Sequence, residues 1–280
     1  MAPVLEWRDG ASGFVTIGGK RMECVCHGPA PDRARTIVLL HEGLGCIALW
    51  RDFPARLAAA TGLGVFAYSR AGYGQSDSVE LPRPLDYMTR EASETLPALL
   101  DAIGFRSGIL LGHSDGASIA ALYAGSVEDF RVRGLVLIAP HFFTEASGLA
   151  AIRAARQAYA TGDLRWKLAK YHRDVDAAFR GWNDAWLDPG FETWNIADAI
   201  DYWRIPTLAI QGDADPYGTL AQIREMETRA YSPVDVEILG GCKHSPHTER
   251  PEETLGVVAN FCARLLRIEN IVVETAIIDR

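Results

Sequence analysis

A serine between two glycines, in Gly112-His113-Ser114-Asp115-Gly116, follows directly on the apolar run Gly108-Ile109-Leu110-Leu111. The spacing G-x-S-x-G after such a run predicts a tight strand-to-helix turn that lifts the Ser114 hydroxyl above a sheet. The glycines leave room for the two backbones to approach. The helix that follows, from about Ala117 to Ala124, aims its N-terminal amides at negative charge developing nearby. A serine hydroxyl becomes a nucleophile when a base takes its proton, and a histidine base needs a carboxylate to hold its tautomer. Thr207-Leu208-Ala209-Ile210-Gln211 reads as a buried strand that empties into Gly212-Asp213-Ala214-Asp215-Pro216, a turn-rich loop with two acids. Val234-Asp235-Val236-Glu237-Ile238-Leu239 ends in Gly240-Gly241-Cys242-Lys243-His244-Ser245-Pro246-His247, which sets His244 as the base on the loop after the last core strand.

With these motifs in the order Ser, Asp, His, the chain resembles the α/β-hydrolase superfamily over nearly its whole length outside a middle insertion. Thr36 to Leu40 followed by His41-Glu42-Gly43-Leu44-Gly45 is similar to the family's strand and oxyanion loop, usually H-G-x, with Glu42 in place of the first glycine. Ser69-Arg70-Ala71-Gly72-Tyr73-Gly74-Gln75-Ser76 is similar to D-x-R-G-x-G-x-S, with Ser69 and Ala71 where the acid and the arginine usually stand. The run from His244 to Pro251 resembles H-x-x-x-E-x-P, which favours His244 over His247 and lets Pro251 open the last helix. The family's G-x-x-D pattern, applied from Gly212, selects Asp215 with Asp213 as runner-up.

The resemblance implies a Ser114–His244–Asp215 triad and an oxyanion hole built from the backbone amides of Asp115 and Gly43, with Leu44 next in register. One such donor is typically worth roughly 3 to 4 kcal/mol in the transition state, so the Glu42 departure matters if it moves the loop. It is expected to leave the hole in place. Dehalogenase and epoxide hydrolase chemistry is disfavoured, because those relatives carry an aspartate where Ser114 stands.

The elements that must position these residues follow from hydrophobic period. Strands are predicted near Gly13 to Ile17, Arg21 to Cys26, Thr36 to Leu40, Val65 to Tyr68, Gly108 to Leu111, Gly134 to Ala139, Thr207 to Gln211 and Val234 to Leu239. Helical spacing marks Trp50 to Ala60, Tyr87 to Ile103 and Glu252 to Arg267. The alternation predicts an α/β fold, a mostly parallel central sheet with helices on both faces, and ligands at the carboxyl ends of the strands. The β-branched tail Ile271 to Ile278 fits an edge strand or a homodimer contact.

The stretch between Ala139-Pro140-His141 and Thr207 is longer than a strand-helix-strand crossover needs. It predicts a helical cap over 144–203, inserted into a core formed by 1–143 and 204–280. Its helices are expected around Glu145 to Thr161, Asp163 to Tyr171, Val175 to Trp186 and Phe191 to Tyr202. The cap holds Trp166, Trp182, Trp186, Trp194 and Trp203. Rings of this kind pack a thin helical layer, and some must also face the cleft below. Leu44, His141, Phe142, Trp166 and Trp186 are the expected substrate-binding residues.

Over 280 residues with 48% hydrophobic content, the chain can bury one large core. A net charge of -8 and a pI near 5.4 argue against a nucleic-acid partner. Met1 to Trp7 has no charged start before a long apolar stretch, and no segment is apolar for the roughly 18 residues that a span requires. Neither a signal peptide nor a membrane association is expected, and the setting is cytoplasmic. Cys24, Cys26, Cys46, Cys242 and Cys262 are odd in number and lack metal-ligand spacing, which fits inert thiols in a reducing compartment. Cys242 reads as a buried loop cysteine despite its closeness to His244.

Asp115 has two readings: an acid stabilised at a helix N-terminus, or a contact for a substrate amine or hydroxyl. His113 and His41 read as structural, and His27 and His172 give no signal. The expected function is a serine esterase or thioesterase acting on a small molecule, an ester, thioester or lactone with a hydrophobic or aromatic part, through an acyl-enzyme and without metal or organic cofactor. Two alternatives stay open: hydrolysis of a carbon–carbon bond in a dienolic diketone, and a ligand-binding receptor or scaffold on the same fold.

Overall fold

The computed structural model describes residues 6–278. Met1 to Leu5, on which most of the signal-peptide expectation rests, lie outside the described residues. Eight strands form one sheet: β1 (Ser12–Ile17), β2 (Lys20–His27), β3 (Thr36–Leu40), β4 (Gly64–Tyr68), β5 (Gly108–His113), β6 (Val132–Ile138), β7 (Thr207–Gly212) and β8 (Val234–Leu239). Their spatial order is β1-β2-β4-β3-β5-β6-β7-β8. The pairs β1/β2 and β2/β4 are antiparallel, and every pair from β4 to β8 is parallel.

The sheet is buried on both faces because its central strands are apolar over most of their length, with polar residues confined to their ends, such as Thr36, His113, Arg133 and Gln211. In β3, Ile37 and Leu39 pack with Trp50, Phe53, Leu57 and Phe261, whereas Val38 and Leu40 pack with Leu96, Leu100, Ala117 and Leu122. Alternate residues of one strand thus feed two separate cores, as the period of two requires. Helices α1 (Phe53–Thr61) and α10 (Pro251–Ile278) cover the first face. The second is covered by α2 (Tyr87–Arg90), a π-turn over Glu91–Thr95, α3 (Leu96–Ala102) and α4 (Asp115–Ser126).

From β3 the chain runs to β4 on one side and then crosses to β5 on the other. The crevice between the carboxyl ends of β3 and β5 is therefore the topological switch point, the usual ligand site of an open α/β sheet. Here the turn after β3 carries His41 to Gly45, and the turn after β5 carries Ser114.

Between β6 and β7 lie α5 (Ala146–Thr161), α6 (Leu164–Leu168), α7 (Val175–Trp186) and 3-10 turns at Pro189–Phe191 and Ala197–Tyr202. The run expected as a helix from Phe191 to Tyr202 is thus two short turns, the first closed by the Asp188 carboxylate, which accepts from the Gly190 amide at 2.8 Å. The segment rests on α4, which is buried along most of its length, and Trp203 donates its indole N–H to the Ala121 carbonyl at 3.0 Å. After β7 come α8 (Leu220–Arg229), β8, α9 (Pro246–Glu249) and α10. The tail at Ile271–Ile278 continues α10 and adds no edge strand. Each further helical residue adds a backbone hydrogen bond, which outweighs a weak β-propensity.

Candidate active site

Ser114 stands at the end of β5 with φ 54° and ψ −119°, a left-handed backbone conformation for a residue with a side chain. Such strain persists only where the surroundings impose it. The neighbours do so here: a Cβ on Gly112 would overlap the Gly116 carbonyl, and a Cβ on Gly116 would overlap the Leu40 carbonyl of the adjacent strand. The Ser114 amide donates to the Ile138 carbonyl at 2.9 Å, locking the turn to β6. Asp115 opens α4, so its amide has no acceptor within the helix.

His244, on the loop after β8, donates from Nδ1 to Oδ2 of Asp215 at 2.7 Å. The same carboxylate is held by Gln211 Nε2 at 2.9 Å and by the Tyr217 amide, which donates to Oδ1 at 2.8 Å. Burial opposes ionisation of Asp215, but the His244 contact and the Tyr217 amide overcome it and hold the carboxyl below the usual range. Asp213 does a different job, capping the Gly240-Gly241 turn by accepting from the Gly241 amide at 2.7 Å.

The loop after β3 is fixed from behind. His41 donates from Nδ1 to the Glu42 carbonyl at 2.7 Å and accepts from the Arg70 amide at Nε2, 3.0 Å away. The fully buried Arg70 guanidinium donates to the carbonyls of His41 and Glu42. The turn that lacks the usual acid and arginine at 69 and 71 therefore supports this loop through the residue between them. Ser69 contributes as well, accepting from the Ile47 amide at 3.0 Å and donating to Glu23 at 3.0 Å. His172, which carried no sequence signal, donates to the Leu44 carbonyl at 3.0 Å and accepts from the Gly74 amide at 2.9 Å. The Gly43 amide has no acceptor among the described residues.

Ser114, Asp115, Gly43, Leu44, His244, His141 and Trp186 line one cavity of about 220 Å³. Trp166 and Phe142 do not. Trp166 is 71% exposed, on the face of α6 opposite the buried Leu168. Phe142 is wholly buried against Trp203, because backbone alternation after β6 turns its neighbour His141 to the cavity and Phe142 to the core. These two expectations are corrected.

The same cavity is lined by Glu42, Ile152, Trp182, Tyr217 and Ser245, which sequence reasoning left out of the pocket. Trp182 was within reach, since it lies four residues before Trp186 on α7 and therefore on the same helical face. Tyr217 and Ser245 adjoin Asp215 and His244, but nothing in their types announces a lining position.

Asp115 is buried, and its carboxylate accepts from the Tyr87 hydroxyl, which in turn accepts from Trp186 Nε1 at 3.2 Å. Burial raises the Asp115 carboxyl above its ordinary range despite nearby Arg70. His141 is neutral, pushed down to about 3 by burial and by the neighbouring His244. Cys242 is also buried, its thiol pushed up to about 11 by that burial, so it stays protonated. Among the described residues no group of three or more His, Cys, Asp or Glu is arranged to hold a metal ion. No helix among them is long and apolar enough to cross a membrane.

Residues 37–257 match the Alpha/beta hydrolase family. Epoxide hydrolase B of Mycobacterium tuberculosis is 29% identical over 126 residues, 44% of this chain and 34% of that protein, so the match spans about a third of the relative's length. Among solved structures, a proline iminopeptidase from Mycobacterium smegmatis superposes with a TM-score of 0.72 at 19% identity, covering 91% of this chain and 98% of its own. An esterase from Rhodococcus sp. ECU1013 gives 0.69 at 18% identity, with coverage of 92% and 100%. These two likenesses concern the fold.

Proposed function

Because the chain belongs to the alpha/beta hydrolase family, we propose that it is a serine hydrolase of carboxylic esters, thioesters or lactones, with Ser114 as nucleophile, His244 as base and Asp215 as the orienting acid. The observation that carries this reading is the 2.7 Å bond between His244 Nδ1 and Asp215, made at the wall of a cavity that Ser114 also lines. With its Nδ1–H hydrogen-bonded to the carboxylate, the neutral tautomer of the His244 ring has its lone pair on Nε2.

In the proposed reaction, His244 Nε2 takes the Ser114 hydroxyl proton as Oγ bonds to the substrate carbonyl carbon. The carbonyl π electrons move to oxygen, and the amides of Gly43 and Asp115 receive that oxyanion. Collapse of the intermediate breaks the bond to the leaving group, which departs with the proton from His244 and leaves an acyl-Ser114 ester. Water then repeats the sequence, giving its proton to His244 and releasing the acid. Asp215 stays ionised throughout and stabilises the imidazolium.

We read 144–203 as a cap over a core of 1–143 and 204–280, since α5 and α7 contribute Ile152, Trp182 and Trp186 to the cavity. The serine at the elbow distinguishes this reading from the chemistry named for the mycobacterial relative, in which the resemblance implies a carboxylate there. Five unpaired cysteines, all buried, fit a cytoplasmic setting.

Intact-mass measurement after exposure to a small fluorophosphonate tests the assignment without knowledge of the substrate. One adduct is expected on the native protein and none on Ser114→Ala. A folded native protein that takes no adduct would refute an activated Ser114.

A further inference from the structure

Trp182 and His141 line the cavity, and neither side chain makes a hydrogen bond among the described residues. Trp182 is 7% exposed, and its indole edge lies directly over Gly43, where an added Cβ would overlap both Cδ1 and Nε1. Its N–H makes no hydrogen bond among the described residues, in contrast to Trp186, which donates to Tyr87, and Trp203, which donates to a carbonyl. His141 is 5% exposed, contacts Trp186 edge-on at 5.5 Å and faces His244 at 5.7 Å, and neither of its ring nitrogens is hydrogen-bonded among the described residues. Its neutral ring offers one N–H and one lone pair. Both residues are more than nine-tenths buried while their ring nitrogens open on the cavity, so they point to a ligand seated there that completes them.

We propose that the site selects acyl groups bearing an uncharged oxygen, a hydroxyl or oxo group, close to the scissile carbonyl, received by the indole N–H of Trp182 and the ring of His141. The inference rests on the serine hydrolase reading and names its substrate class. The position follows from Trp182: its N–H stands against Gly43, whose amide receives the carbonyl oxygen. The adjacent carbon is the first place from which a second oxygen reaches that donor. The lack of charge follows from the remaining lining. Glu42 presents a carboxylate 25% exposed, Asp115 is a second acid, and neither lysine nor arginine lines the cavity. A carboxylate on the acyl group would meet two acids and no cation.

The test compares kcat/KM for methyl lactate, methyl pyruvate, methyl propionate and monomethyl succinate, each normalised to its rate of hydroxide-catalysed hydrolysis. The oxygenated esters are expected to lead methyl propionate by about 10-fold or more, with the succinate monoester last. In Trp182→Phe, which keeps a ring over Gly43 and removes the N–H, that preference is expected to fall about 10-fold. His141→Phe should reduce it in the same direction, and His141→Gln, which keeps a donor and an acceptor, should restore part of it. Native protein without the preference, a preference for the succinate ester, or an unchanged ratio in Trp182→Phe would overturn the proposal. A fluorophosphonate adduct on Ser114 with no such preference sinks only this inference, whereas absence of the adduct sinks the hydrolase reading itself.

Discussion

The Glu42 carboxylate lies 3.4 Å from Nδ1 of His113, and the opposite nitrogen of that ring donates to the His244 carbonyl at 2.7 Å. The residue before Ser114 thus links the loop after β3 to the loop after β8. The first contact is longer than a hydrogen bond but within ion-pair range, and it is attractive when the ring carries both protons. Burial works against the Glu42 charge, yet the His113 ring beside it holds the carboxyl well below the ordinary range. The acid that replaces a glycine of the family pattern is therefore tied into the frame of the site.

Replacing Glu42 by Gln is expected to destabilise the protein by about 1–2 kcal/mol at neutral pH, the range for a partly buried pair. A carboxyl depressed in the folded state contributes stability above its unfolded pKa of about 4.3, and that contribution is lost as pH falls toward the folded value. The gap between native and Glu42→Gln should therefore narrow between pH 7 and pH values below about 4. Urea unfolding at both ends measures it. A gap that does not change with pH would assign the effect to packing instead of charge.

Asp213 and Asp215 stand two residues apart, and their variants should behave oppositely. Asp215→Asn replaces the acceptor of the His244 Nδ1 proton with a group that can present N–H there, favouring the wrong tautomer. It should lower kcat by about 10³–10⁴-fold with the fold retained. Asp213→Asn disturbs a turn contact and should cost about 1 kcal/mol of stability with kcat within a few-fold of native. Steady-state kinetics on any ester that the native protein cleaves decides the matter; a larger kcat loss in Asp213→Asn would exchange the two roles.

The strands were legible because β3 to β7 are apolar runs bounded by turn residues, and the order of the motifs along the chain placed Ser114, Asp215 and His244 at strand ends. The two aspartates could not be separated by their own types. What separates them is tertiary: the Gly241 amide takes Asp213, and His244 takes Asp215. Trp166 failed as a pocket residue because a ring suits a cavity and a wet helical face alike, and only the orientation of α6 decides. The tail failed as a strand because local propensity yields to the continuation of α10. Arg70 and His172 were overlooked because their work is done on backbone carbonyls and amides, which leave no trace in sequence.

Ser114 holds its left-handed backbone at a cost of about 1–3 kcal/mol, which a glycine at that position avoids. Ser114→Gly should therefore raise the melting temperature by about 2 °C while abolishing turnover, and Ser114→Ala should abolish turnover with little gain, since alanine keeps the Cβ. Differential scanning calorimetry of the three proteins reads the difference. Equal melting temperatures for the glycine and alanine variants would mean that the turn is not strained.

Asp115 is held by Tyr87, and the pair offers a structural account of an acid beside the nucleophile. Tyr87→Phe removes the hydroxyl and leaves the buried carboxyl without that donor, which should cost about 1–3 kcal/mol. Burial raises the Asp115 pKa, so the ionised form is the one disfavoured in the folded protein. Stability tied to such a group is greatest below its unfolded pKa and declines as pH rises through the folded one. Loss of the Tyr87 donor pushes the folded pKa higher still. The Tyr87→Phe deficit should therefore be larger at pH 7 than at pH 4, the same direction as the Glu42→Gln trend, and urea unfolding of the native protein and the variant over a pH series measures it. A Tyr87→Phe deficit that does not change with pH, or that shrinks toward pH 7, would show that Asp115 does not carry its charge against Tyr87.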